Sequence, residues 1–196
     1  MLLVDHEIKR WAGDMHGIEP FDEAMLNPSS IDLRAGMGWI DSEYPHLKRS
    51  NLQITIYKVS ISTLLVNVIV DTLYKIIKTD KLLYYRRPTA VLLSTFESVA
   101  IPINCSAMIK LKSTPCREGL GHPIADWVDN GFMGQLTLMV TANKTITISA
   151  GDRICQLVII RTKTPYKTYR DTGHYYNQIG ATASWRQNEE QPKEHS

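Results

Sequence analysis

Polar and apolar residues alternate through Gln135-Leu136-Thr137-Leu138-Met139-Val140-Thr141. Leu136, Leu138 and Val140 fall on one side of that period, and Gln135, Thr137, Met139 and Thr141 on the other. Only an extended chain sends alternate side chains to opposite faces, so the run reads as a strand with one buried face. The same period returns in Ile31-Asp32-Leu33-Arg34 and in Gln53–Val59. Short strands of this texture recur at 90–96, 107–112, 135–141, 145–149 and 153–161, divided by turn residues. Regular short strands with little helix predict an all-β domain of jelly-roll or barrel type.

The 196 residues suffice for one buried core, and residues 1–184 read as a single domain. Apolar positions Leu3, Val4, Ile8, Trp11 and Ala12 fit a short amphipathic helix over 3–12, followed by an irregular stretch, Gly17–Asn27. Residues 61–77 carry two signals: Leu64–Val70 is rich in β-branched residues, whereas Val70, Leu73, Tyr74 and Ile77 keep helical spacing. The β-branched content favours a strand. Gly36 and Gly38 read as turn formers, with no phosphate-cradle spacing after them. Residues 185–196 are mostly charged or amide-bearing and read as a flexible tail.

A hydrophobic fraction of 43% excludes wholesale disorder. The formal net charge of +2 gives no broad basic footprint, so no nucleic-acid partner is expected. Local basic clusters at 86–87 and 161–170 could serve phosphates. Cys105, Cys116 and Cys155 have no paired spacing, which predicts free thiols in a reducing cytoplasm. The absence of P-C-x-x-C also excludes the zinc nucleobase deaminases. Asp5 and Glu7 interrupt the apolar N-terminus, so no signal peptide is read there. The longest apolar run, 59–77, contains Ser60, Ser62, Asn67, Asp71 and Lys75 and is too polar for a membrane span.

Chemistry-bearing residues cluster between Lys112 and Gly134. Asp129-Asn130-Gly131 lies between Trp127, Val128 and Phe132, the pattern of an Asn-Gly hairpin with positive φ at both central residues. Ser113, Thr114 and Arg117, with Lys112 before them, offer hydroxyls and a guanidinium that could wrap a phosphate. Gly151-Asp152-Arg153-Ile154-Cys155-Gln156-Leu157 reads as a turn entering a strand, and Gly173–Ser184 is rich in Tyr, Asn and Gly.

Together with Asn27-Pro28-Ser29-Ser30-Ile31-Asp32-Leu33-Arg34, these segments resemble, in order, the motifs of the dCTP deaminase branch of the trimeric dUTPase superfamily. The resemblance spans about 20–36 and 105–184; residues 40–104 match only in strand texture. It implies a dUTPase-like distorted jelly-roll barrel with a short N-terminal helix, a C-terminal lid over 165–184 and a homotrimer whose sites are built from neighbouring subunits. It also implies substrate contacts from Lys112, Ser113, Thr114, Arg117, Ala125, Phe132, Gln156, Tyr166, His174 and Gln178. Phe132 would pack on the deoxyribose, and Asp129 would activate water. Asp32 would hold Mg²⁺ through water, the ion arriving with the nucleotide triphosphate. Pro115, Glu118 and His174 depart from the residues usual at their positions.

One departure concerns the chemistry itself. Where the resembled deaminases carry a catalytic glutamate, this chain has Met139. A thioether cannot take the proton of a water attacking C4 of cytosine. The resemblance therefore implies hydrolysis of dUTP to dUMP and pyrophosphate. The alternatives are a dCTP deaminase whose base comes from elsewhere, and a non-catalytic nucleotide-binding or structural trimer on the same scaffold.

Overall fold

The computed structural model describes residues 1–41, 48–50, 53–56, 61–77, 90–122 and 125–186. Helix α1 (Asp5–Lys9) leads into a π-helical turn over Arg10–Asp14. The strands follow as β1 (Ile18–Glu19), β2 (Leu26–Asn27), β3 (Ser30–Asp41), β4 (Lys48–Ser50) and β5 (Gln53–Ile56). After helix α2 (Ile61–Ile77) come β6 (Ala90–Ala100), β7 (Cys105–Leu111), β8 (Leu120–Gly121) and β9 (Trp127–Val128). The last strands are β10 (Met133–Ala142), β11 (Ile146–Ser149) and β12 (Arg153–Arg161). The all-β class stands.

Strand β3 organises the domain because it belongs to two antiparallel leaves. Its first half pairs with β12, where Ile31 faces Leu157 and Asp32 faces Gln156, and β12 continues through β7 to β9. Its second half pairs with β6, where Trp39 faces Leu93, and β6 continues through β10 to β8. The register slips between Ala35 and Trp39, at the crossing. Gly36 lies there, and a Cβ on it would come within 2.6 Å of Ser94 Oγ and 2.8 Å of the Thr95 carbonyl. Gly36 and Gly38 are therefore strand residues at a bulge, not the turn formers expected from sequence.

One continuous core fills the space between the leaves, with Ile31, Leu33, Leu93, Leu138, Leu157 and Ile159 almost wholly enclosed. The exposed side of β10 carries Met133 and Met139, and its buried side Leu136, Leu138 and Val140, as the alternation requires. At the crossing, Glu97 is 2% exposed and accepts from both Arg34 Nε (2.6 Å) and the Arg34 backbone N–H (2.8 Å). Thr95 Oγ1 accepts from Leu136 N at 2.9 Å, filling a slip in the β10–β6 ladder between Gln135 and Thr137.

Two further expectations, the strand over 61–77 and the Asn-Gly hairpin, need correcting. Residues 61–77 form a helix, not a strand: seventeen residues without Gly or Pro exceed ordinary strand length, and the helical spacing of Val70 and Leu73 prevails. Residues 113–118, the segment expected to wrap a phosphate, form a short helix that tolerates Pro115 in its first turn and ends on Gly119 at φ 109°. Asn130-Gly131 does not close a hairpin. Strand β9 pairs with β7 whereas β10 pairs with β6 and β8, and only Gly131 takes a positive φ (77°). Cys105, Cys116 and Cys155 are free thiols. Arg86, Arg87 and most of the expected flexible tail lie outside the described residues.

The C-terminal segment folds back along β10. Asn177 N donates to the Met133 carbonyl (2.8 Å), Gln135 N to the Gln178 carbonyl (3.0 Å) and Thr182 N to Thr137 Oγ1 (3.1 Å). The approach depends on Gly134, at φ 130°, where a Cβ would lie 2.8 Å from the Gln178 carbonyl oxygen. Gly134→Ala is expected to lift this segment, so limited proteolysis within 165–184 becomes several-fold faster, and the strain of a Cβ at φ 130° within β10 also lowers the melting temperature. Glu97→Ala leaves Arg34 with an uncompensated charge and should cost about 3 kcal/mol in a denaturant titration.

Candidate functional site

The turn between β9 and β10 is fixed from below. Asn130 accepts from Ser106 Oγ (2.7 Å) through Oδ1 and donates through Nδ2 to Thr162 Oγ1 (2.7 Å) and the Ile103 carbonyl (3.0 Å). Phe132 N donates to the Asp129 carbonyl at 3.2 Å, closing the turn. These bonds leave the Asp129 carboxylate exposed, with Trp127 Nε1 donating to it at 2.9 Å. Asp126, the other carboxylate nearby, is paired with Lys110, whose hydrogen bond holds it below the usual carboxylate range. Asp129 is thus the better-placed general base of the two.

Phe132 is buried, and Tyr169 meets its ring edge-on with centroids 5.3 Å apart. Burial pushes the Tyr169 hydroxyl up from its ordinary pKa. A cleft of about 320 Å³ opens beside this pair, lined in part by Trp11, Ile101, Met133, Arg170 and Tyr176. A larger depression of about 390 Å³ beside α1 contains none of the sequence-predicted site residues.

Ser113, Thr114 and Arg117 stand exposed on the short helix after β7. Lys112, just before it, is paired with Asp32, which is 2% exposed. The same carboxylate accepts from Asn27 Nδ2 at 2.8 Å and has Arg153 Nη1 at 3.6 Å. Gln156, facing Asp32 across the ladder, accepts from Ser30 Oγ at 3.1 Å. Both Asp32 oxygens therefore serve cationic and amide donors, and the surroundings do not fit a protein-held metal. No group of three or more His, Cys, Asp or Glu side chains suited to a metal occurs among the described residues.

Met139 is exposed on β10, sharing its face with Thr137 and Thr141. Its carbonyl lies 2.8 Å from His122 Nδ1. A carbonyl can only accept, so Nδ1 carries the proton; Nε2 is enclosed and finds no hydrogen-bond partner among the described residues.

These residues fall into two groups. Asp129 is level with Ser106 at the start of β7, whereas Ser113 follows its end, so the two lie on the order of 20 Å apart at about 3.3 Å per residue. Lys112, Ser113, Thr114, Arg117, Asp32 and Gln156 belong to the far end. Asp129 and Phe132 belong to the near end, where the C-terminal segment also docks. One chain cannot put both groups on a single triphosphate.

The remaining sequence-predicted residues are scattered. Ala125 is exposed two residues before β9, and Tyr166 is fully exposed. His174 stacks on Trp185 with centroids 4.3 Å apart. Gln178 Nε2 donates to the Gln135 carbonyl at 2.6 Å. Sequence reasoning did not find Tyr169, Asn130, Gln135 or His122 as structural partners of the site. Only Asn130 carried a local signal, its place in the Asn-Gly turn; the others act through distant strands.

Residues 2–162 match the family described as dCTP deaminase-like. The chain is 32% identical over 195 residues to the "dCTP deaminase, dUMP-forming" of Acidothermus cellulolyticus, covering 94% of each protein. It is 33% identical over 174 residues to the protein of the same name from Persephonella marina, covering 85% of this chain and 86% of that one. In fold it is similar to the crystal structure of 2'-deoxycytidine 5'-triphosphate deaminase from Agrobacterium tumefaciens, with a TM-score of 0.56 at 15% identity. That match covers 81% of this chain but 47% of the Agrobacterium chain, so this chain spans about half its length. With the domain matched almost end to end, the chain belongs to the dCTP deaminase-like family.

Proposed function

We propose that this protein processes pyrimidine deoxynucleoside triphosphates and that its reaction is the hydrolysis of dUTP to dUMP and pyrophosphate. Forming dUMP from dCTP, the conversion in the relatives' names, requires two hydrolyses. One removes the 4-amino group of cytosine, and the other breaks the bond between the α- and β-phosphates. The first needs a base beside C4, and Met139 offers none. The second needs a carboxylate beside the α-phosphorus, and the exposed Asp129 supports that role. This pairing of a kept carboxylate with a replaced one carries the reading.

In the reaction Asp129 takes a proton from water as the water oxygen bonds to the α-phosphorus. The bond to the bridging oxygen breaks, and pyrophosphate leaves with its electron pair. Arg117, Ser113 and Thr114 hold the departing phosphates, and Gln156 borders them. Phe132 lies under the sugar, where bulk in place of a polar group disfavours a 2′-hydroxyl. Magnesium accompanies the triphosphate as part of the substrate. The spacing of the two residue groups supports sites completed by a neighbouring copy, and a homotrimer is the assembly we propose.

A non-catalytic nucleotide binder is the second reading. Gln178, expected to face the triphosphate, instead donates its amide to the Gln135 carbonyl, which favours a structural role for the C-terminal segment. Incubation with dUTP and with dCTP in the presence of Mg²⁺, followed by chromatography of the products, separates these readings. Release of dUMP from dUTP with dCTP unchanged supports hydrolysis; binding without turnover supports the second reading. Asp129→Asn should slow dUTP hydrolysis by about 10²–10⁴-fold while keeping nucleotide binding. Met139→Glu should release some ammonia from dCTP, and a parent protein that deaminates dCTP briskly would overturn the argument from Met139.

A further inference from the structure

Tyr169 is tied down along its whole length. Its backbone N–H donates to the Asn130 carbonyl at 2.8 Å, and its own carbonyl accepts from Gly173 N at 2.7 Å. Its hydroxyl accepts from Tyr175 N at 3.3 Å. The ring passes so close to Gly173 that a Cβ there would run into it. Held in this way, the ring meets Phe132 edge-on, with the two planes at 61°. One residue earlier, Thr168 Cβ would lie 2.9 Å from a Cβ on Gly131, so the turn that carries Phe132 rests directly on this segment. Phe132 also borders open space, because the cleft of about 320 Å³ lies beside it, walled by Ile101, Met133 and Tyr176. An unsupported Phe132 ring would have room to turn.

We infer that Tyr169 is a positioning residue for sugar selection: by bracing the Phe132 ring it makes the pocket reject a 2′-hydroxyl. The inference rests on the proposed placement of Phe132 under the deoxyribose and adds what makes that placement selective. Phe132 turns no polar group toward a sugar, so it can discriminate only by bulk. An apolar wall that relaxes rejects an added hydroxyl weakly, and the rigidity of the ring therefore decides the outcome. Close-packed neighbours supply that rigidity, and an edge-to-face contact fixes orientation as well as distance. The bond from Tyr169 N to the Asn130 carbonyl joins the brace to the turn between Asp129 and Phe132, so brace and wall keep one geometry. The ring carries this role, while the hydroxyl is engaged by Tyr175 N on the other side.

The test is calorimetric titration of the full-length protein, in the presence of Mg²⁺, with the α,β-imido analogues of dUTP and UTP, in which the cleavable bridge is blocked. The matching cytidine pair is titrated as well, and the ratio of deoxy to ribo affinity is taken on the tighter-binding base. The parent should favour the deoxy form. Tyr169→Leu keeps apolar bulk but loses the ring, and should lower the ratio by about 2- to 10-fold, the range an edge-to-face pair supplies. Tyr169→Phe should keep the parental ratio. A residue that only stabilises the fold would weaken both affinities alike, so an unchanged ratio in Tyr169→Leu overturns the inference and leaves the placement of Phe132 standing. Melting temperatures identify a variant that fails to fold. Should Tyr169→Leu do so, Gly173→Ala replaces it, because the added methyl displaces the ring while leaving Tyr169 itself intact, and the same fall in ratio is expected. A parent that binds the deoxy and ribo forms alike, or binds neither, overturns the placement of Phe132 and the inference with it.

Discussion

The pairing of Arg34 with Glu97 holds the two leaves of the domain in one register. Strand β3 must leave β12 and join β6 within a few residues, and a strand cannot serve two ladders without a slip. The slip frees backbone groups, and Glu97 takes up one of them, the Arg34 N–H, while the same carboxylate holds the Arg34 guanidinium. Arg34 in turn lies over the Phe96 ring, 4.9 Å from its centroid. A charge this well enclosed is tolerable only because every partner is in place, so the pair acts less as a source of stability than as a lock on one crossing geometry.

The same face of β3 carries Asp32 two residues earlier, neutralised from β12 by Arg153 and from beyond β7 by Lys112. Charged residues on one face of β3 thus draw together strands that are distant in sequence, while Ile31, Leu33 and Ala35 build the core from the other face. Lys112 opens the segment proposed to hold phosphates, so the ionic seam that closes the barrel also aims that segment. Burial in the same region pushes the Cys155 thiol up, which keeps it inert beside the seam.

Strand texture was legible wherever one face meets the core and the other meets water. β12 runs over the residues expected of it, and β10 shows the predicted alternation. Helix α2 was misread because the β-branched run within Leu64–Val70 outweighed its helical spacing, a propensity that the length of the segment overrides. Asn130-Gly131 announced a turn correctly, but turn chemistry is local and does not say which strands the turn joins. The helix over 113–118 had a readable stop in Gly119, masked by Pro115. The motif order disclosed the family, whereas the grip of Gln135 on the C-terminal segment exists only after folding, since Gly180 N donates to Gln135 Oε1 at 2.5 Å across a wide sequence gap.

The length of β7 also governs how damage to the protein would be inherited. In the proposed shared site, a chain lacking Asp129 still brings a sound phosphate-holding end, and a chain lacking Arg117 still brings a sound carboxylate end. Two defective alleles expressed together would therefore co-assemble into particles in which some sites are whole, although neither allele makes one alone. A cell carrying both would be spared a defect that each confers separately, a form of allelic complementation written into the distance between the two ends of a single strand.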